Sequence, residues 1–272
     1  MTIKNLSFAL LRAGQYPGFL RPNSGTSAKT MNGLLREVLA AHGGIDRWTR
    51  YENVSATIVS GGDLFDAKGV KADTTPRKVS TATKSERMIA TPFGNPDWKM
   101  TFVPDCVVIE DGKGVVVAGR SNPRDAFAGH SYETPWDPVH RAYFSGYALW
   151  TYLNTPFFLA MPGFEIEEIA PWIEGNETWR VLRAKFPRDV ASHSSTQDFY
   201  FGPDFLLRRH DYQVDIAGSF PAAQYVYHLR ELTGFWFPTK RRAHPRNSDL
   251  TAQKDRTYVW IDVAEVVVRD GW

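Results

Sequence analysis

"SHSSTQDFYFGPDFLLRRHDYQVDIAG", residues 192 to 218, decides how this chain is read. Two runs of alternating polar and aromatic residues flank Gly202-Pro203-Asp204, the make-up of two antiparallel strands joined by a tight turn. A four-residue connection over Gly202 to Phe205 sets Phe201 against Leu206, Phe199 against Arg208, Gln197 against His210, Ser195 against Tyr212 and His193 against Val214 on one face. Asp198 then meets Arg209, and Thr196 meets Asp211, on the other. This segregation puts opposite charges towards solvent and gathers His193, Gln197, His210 and Tyr212 with aromatics on an inner face. A three-residue connection mixes Asp211 and Arg209 with Phe199 and separates them less well.

Working outward, the same texture recurs on both sides. "ENVSATIVSGG", "RKVSTATK", "RMIATPFGNPDW", "KMTFVPD" and "CVVIEDGKGVVVAG" are short β-branched runs with turn signals between them, and Asp111-Gly112 between valine-rich runs predicts a hairpin. From Trp179 strands resume through "WRVLRAKF", "AAQYVYHLREL", "WFPTKRRAH" and "RTYVWIDVAEVVV". Two helices interrupt this series. In "MNGLLREVLAAHGG", Leu34, Leu35, Val38 and Leu39 recur at helical spacing, with Asn32 as N-cap and Gly43-Gly44 as the stop. Asp137 caps a second helix, with Pro138 at its first position, that runs to Asn154 and is apolar on nearly every side, so the rest of the fold must enclose it. The expected architecture is α+β: a strongly curved, mostly antiparallel β half-barrel, an enclosed helix, and an N-terminal helix packed on it. Residues 1 to 32 are expected to be a flexible lead-in and residues 33 to 272 one domain.

Composition narrows the function class. Of 272 residues, 32 are basic and 30 acidic, a net charge of +2 that gives no field for nucleic acid. Aromatics make up 14%, enough to fill a core and also line a cavity for an apolar or planar ligand. The single cysteine, Cys106, excludes an intramolecular disulfide and a Cys-rich zinc site. The opening "MTIKNLSFALLRAG" is too short and mixed for a secretory core, and no segment approaches the ~18 apolar residues of a membrane span, so a cytoplasmic location is expected.

"AAHGGIDRWTRYENVSATIVSGG", a helix ending in Gly-Gly before a first strand, together with "FYFGPDFLLRRHDY" and "ELTGFWFPTKRR", resembles the Lol-type lipoprotein-carrier superfamily over about residues 33 to 268. The resemblance implies a half-closed antiparallel barrel cupping a hydrophobic cavity.

The inner-face residues define the candidate site. His193, His210 and Tyr212 are the expected catalytic groups, because imidazoles and a phenol in an apolar cup titrate in a useful range. Gln197 and Phe199 share their face. On the next strand, one loop parity sets Tyr225 and Tyr227 beside them and the other sets His228 opposite His210; mutual repulsion of Arg208 and Arg230 favours the first. On the enclosed helix, His140, Phe144 and Tyr147 form a stripe facing the cavity, with Trp150 close by as a further ligand contact. No nucleophile elbow, phosphate loop, zinc motif or dinucleotide fingerprint occurs, so neither metal nor cofactor is expected. The expected partner is a bulky hydrophobic or aromatic small molecule, converted by metal-free acid/base chemistry such as isomerisation, cyclisation or elimination. The alternative is a non-catalytic carrier of a lipid or other apolar ligand.

Overall fold

Alternation along the strands fixes two faces, and thirteen strands carry it into one antiparallel sheet. The computed structural model describes residues 31–272, so the readings above for residues 1 to 30 lie outside the described residues. Strands β1 (Asn53–Gly61), β2 (Arg77–Ala82), β3 (Met88–Thr91), β4 (Lys99–Val103), β5 (Cys106–Glu110) and β6 (Val116–Ser121) form an outward meander from the middle of the sheet to one edge. The chain restarts at the opposite edge with β7 (Glu165–Glu174). It then returns through β8 (Glu177–Lys185), β9 (Thr196–Phe201), β10 (Leu207–Val214), β11 (Phe220–Leu232) and β12 (Phe235–Pro245) to β13 (Val259–Arg269), which pairs with β1. Among the described residues β6 and β7 are the edges of the sheet, which is not closed, an α+β half-barrel as expected.

Helix α1 (Gly33–Ala41) follows the predicted spacing. Asn32 accepts a hydrogen bond from Leu35 N at 3.2 Å, and Leu34, Leu35, Val38 and Leu39 are buried. Gly43 ends it at φ 119°, a left-handed backbone that suits a residue without Cβ. Two further short helices, α2 (Ile45–Trp48) and α3 (Asp63–Ala67), are additions to the sequence reading. Trp48 of α2 stacks on Phe157 at 4.2 Å and seals the base of the core.

Helix α4 (Pro138–Asn154) joins the two meanders and lies inside the sheet, buried at every position from Arg141 to Asn154. Such enclosure is what its all-round apolar composition demands. Gly146 shows how close the packing is: a Cβ there would sit 2.2 Å from the Phe102 ring of β4. The predicted Asp-Gly hairpin forms between β5 and β6, where Asp111 Oδ1 accepts from Lys113 N and Val115 N.

β7 was not expected. Its run "EIEEIAPWIE" alternates, but as an edge strand it exposes its acidic residues and buries no full apolar face, so the hydrophobic signal is weak.

Candidate functional site

β9 and β10 pair in a register different from the expected one. Phe201 lies opposite Leu207, and a bulge between Leu207 and Arg209 then shifts the ladder, so that His210 opposes Phe199 and Asp211 opposes Asp198. The connection is three residues, Pro203 to Phe205, with Phe205 left-handed at φ 60°. The two carboxylates set opposite each other on the convex face repel. Each has its own guanidinium: Arg183 holds Asp198 through two bonds of 2.8 and 2.9 Å, and Arg209 and Arg246 hold Asp211. Arg209 is fully buried and lies against the rings of Trp172, Tyr200 and Tyr225.

The bulge keeps Gln197, Phe199, His210 and Tyr212 on the inner face, and His193 joins them from the preceding loop. His193 stacks on Tyr212 at 3.9 Å and His210 on Phe199 at 4.1 Å. Arg241 of β12 donates to Gln224 Oε1 at 2.8 Å, which fixes that amide so that its Nε2 donates to the Tyr212 hydroxyl at 3.3 Å. Tyr212 and Tyr152 hydroxyls are 3.1 Å apart, and Tyr152 Oη is 2.7 Å from His193 Nε2. The donors then all run one way: Tyr212 to Tyr152, Tyr152 to Nε2, and His193 Nδ1–H to the Tyr147 hydroxyl at 3.2 Å. A second branch fixes His210. Gln197 Nε2 donates to Ser194 O at 2.8 Å, which leaves its Oε1 to accept from His210 Nε2 at 2.7 Å.

Burial governs the electrostatics here. It pulls the His193 imidazole down to about 3, with the Arg124 charge acting in the same direction, and it pulls His210 well below the usual histidine range. Burial pushes the Tyr147 and Tyr212 hydroxyls well above the usual phenol range. Arg241 falls to about 10 for the same reason. The cluster is therefore neutral apart from Arg241 at physiological pH.

Several expected contacts lie elsewhere. His210 faces Gln224, so β11 takes the parity of the second alternative, with Gln224, four residues from His228, in the place expected for it, and the favoured parity does not occur. Tyr225 pairs with Arg209 on the convex side and bonds Arg209 and Glu174. Tyr227 and His228 are exposed, because β11 runs on past its partner β10 there. His140 completes a capping box with Asp137, its Nδ1 accepting from Asp137 N at 3.1 Å, and its ring meets Phe127 and His130. Phe144 is buried between Trp136 and His193.

A cavity of about 730 Å³ adjoins this cluster and is built from other residues. Val103, Tyr143, Phe186, Val190 and Ala191 supply its apolar wall, while Arg124, Asp215 and Glu86 are among its polar groups. None of His193, His210 and Tyr212 lines it. The β8–β9 connection, residues 186–195, forms one side and is tied down at two points. Ala191 N donates to Glu86 Oε2 at 2.8 Å, and Arg124 Nη1 donates to Ser192 O at 3.0 Å. A smaller cavity of about 210 Å³ lies beyond it, lined by Trp150, Met161 and Phe164, and shares Glu86, Pro187, Asp189 and Val190 with the first. Sequence reasoning passed over Glu86 and Arg124. Glu86 sits in the charged run "KSER", which resembles any solvated turn, and only tertiary packing buries it. Among the described residues no group of three or more His, Cys, Asp or Glu is placed to hold a metal.

No family model and no curated protein matches the chain. Solved structures do. A domain assigned to outer membrane lipoprotein sorting in Vibrio parahaemolyticus superimposes with a TM-score of 0.55 at 9% identity, covering 88% of this chain and 92% of that one. A LolA superfamily protein from Nitrosomonas europaea gives 0.48 at 9% identity over 88% and 94%. The resemblance to the Lol-type superfamily thus holds as a likeness of fold. The cytoplasmic expectation is thereby corrected: the Vibrio protein that shares this fold is described as an outer membrane lipoprotein-sorting domain. Cys106 is fully buried, with burial and Asp105 pushing its thiol up to about 12, so it is an unreactive strand residue.

Proposed function

We propose that the chain is a non-catalytic carrier whose residues 33–272 act as one domain holding a ligand with a large apolar body, such as a lipid, beside residues 186–195. The cavity carries this reading. Its volume of about 730 Å³ falls within the usual range of small-molecule sites, roughly 300–1,000 Å³, and Val103, Tyr143, Phe186, Val190 and Ala191 give it an apolar wall, with charged and polar side chains making up the rest of its lining. Each methylene that a ligand buries there contributes about 0.8 kcal/mol. The assignment of a protein of similar fold to lipoprotein sorting supports a ligand that carries acyl chains.

The acid/base reading loses ground for a geometric reason. His193 and His210 are 1% and 0% exposed, stacked on rings and outside the cavity wall, so no substrate atom reaches them without unpacking the core.

Titration with an apolar fluorescent probe tests the proposal. The wild-type protein should bind saturably with one site. Ser195→Trp, at an exposed position on the cavity wall, should weaken binding by about tenfold or more through loss of volume. A wild-type protein without saturable binding, or a Ser195→Trp variant that binds equally well, contradicts the carrier reading.

A further inference from the structure

Among the described residues, Glu86 is a cavity-lining carboxyl held inside the protein with one of its two oxygens unpartnered. It sits on the β2–β3 connection, which Trp150 Nε1 pins to α4 by donating to both Ala82 O and Ser85 O at 2.9 Å. The side chain is 3% exposed. Oε2 accepts from Ala191 N, and Oε1, also buried, has no hydrogen-bond partner among the described residues. Glu86 belongs to the walls of both the ~730 Å³ and the ~210 Å³ cavities, so it stands where the two meet.

Resting on the carrier reading, we infer that the ligand bears an uncharged oxygen acceptor, an ester carbonyl within an apolar body, that seats on Glu86 Oε1 at the junction of the two cavities. The chemistry of the carboxyl selects that class. At 3% exposure, with a backbone N–H as its hydrogen-bond partner and no cation bonded to it among the described residues, an ionised Glu86 would be an unpaired buried charge, so the neutral acid is favoured; burial raises its pKa in the same sense, with Asp189 adding to it and the Ala191 N–H and Arg124 charge opposing. Because Oε2 is occupied as an acceptor, the acid proton falls on Oε1, which becomes a donor in need of an acceptor. A buried donor left unpaired is costly, and a ligand carbonyl removes that cost. An anionic head is disfavoured. Arg124, the cation that acts on Glu86, already donates to Ser192 O and faces Asp215, and across the cavity lining Arg87, Arg124 and Arg188 are matched by Asp105, Asp125, Asp189 and Asp215. The apolar lining on both sides, Val190 and Ala191 in one cavity and Trp150 and Phe164 in the other, suits a hydrocarbon chain on either side of the ester.

Three pyrene-labelled probes of equal length distinguish the outcomes: a methyl ester, the free acid and the alkane. Wild-type protein should bind the ester about tenfold more tightly than the alkane, and also ahead of the free acid at pH 7.5. Glu86→Gln retains a donor and an acceptor and should keep the ester preference, whereas Glu86→Leu should bind the alkane normally and lose that preference. Equal wild-type affinity for ester and alkane, or an ester preference that survives in Glu86→Leu, overturns the inference while leaving the carrier reading in place. Failure of wild type to bind even the alkane overturns the carrier reading itself. Should Glu86→Leu not fold, the infrared stretch of a 13C-labelled ester carbonyl bound to wild type decides the matter. A shift to lower frequency relative to hydrocarbon solvent supports the inference, and an unshifted band overturns it.

Discussion

At the scale of single residues, burial holds the interior histidines neutral, while the buried guanidinium of Arg209 is kept charged by Asp211. Burial holds His42 at about 4 and His193 at about 3, and His210 below the usual range. An imidazole whose folded pKa lies below its unfolded value contributes stability that is full above about pH 6.5 and lost as pH falls through the folded value. Stability should therefore fall between pH 6.5 and pH 4 by about 1.4 kcal/mol per pH unit for each such histidine, measured by urea denaturation. Glu86 acts with the opposite sign. Its folded pKa is raised, so the unfolded chain loses the proton first and stability falls as pH rises above about 4.5. Glu86→Gln should accordingly raise the melting temperature at pH 7.5 and leave it nearly unchanged at pH 4. Tyr152→Phe breaks the run of hydroxyls between Tyr212 and His193, and should cost about 1–3 kcal/mol of stability without weakening probe binding.

The membership of the inner face was legible in the sequence because alternation groups Gln197 with Phe199 on one strand and His210 with Tyr212 on the other, and chemical segregation joins the two groups; in the structure the bulge achieves this in spite of a three-residue connection. The partner of each was not. Register depends on the bulge beside Arg208, and a bulge has no periodic signature. His228 and Tyr227 went astray for a related reason: alternation says which side a residue takes, but not where the neighbouring strand ends.

At the scale of elements, α4 was the clearest reading and remains the organising piece of the fold. Its cap, proline and apolar surface announce a helix that must be enclosed, and the sheet encloses it. The contact at Gly146 makes that enclosure testable. Gly146→Ala forces a methyl group against Phe102, and should destabilise by about 1–3 kcal/mol in spite of alanine's better helix propensity. On the convex side of the sheet, Arg209 joins β10 to β11 and to the β12–β13 connection through Asp211, Tyr225 and Leu250 O. Removing one partner of such a pair leaves a buried charge, so Arg209→Ala should cost about 3–5 kcal/mol. β7 escaped notice because an edge strand needs no apolar face.

At the scale of the molecule, one meander runs from the middle of the sheet out to one edge and the other returns from the opposite edge to meet it in the middle, with the helix that joins them packed inside the sheet. This arrangement leaves the edges β6 and β7 open, and the loops at one rim enclose a cavity beside a densely packed polar cluster. A sequence can announce the sheet and the helix. It cannot announce which side of the packed interior stays empty, since that depends on how the connection at 186–195 closes on Glu86 and Arg124. The most direct test is crystallographic: the anomalous signal of a long-chain bromoalkane bound to the protein. The account predicts bromine density in the cavity between residues 186–195 and Tyr143. Density confined to the outer surface, or none at saturating probe, would contradict it.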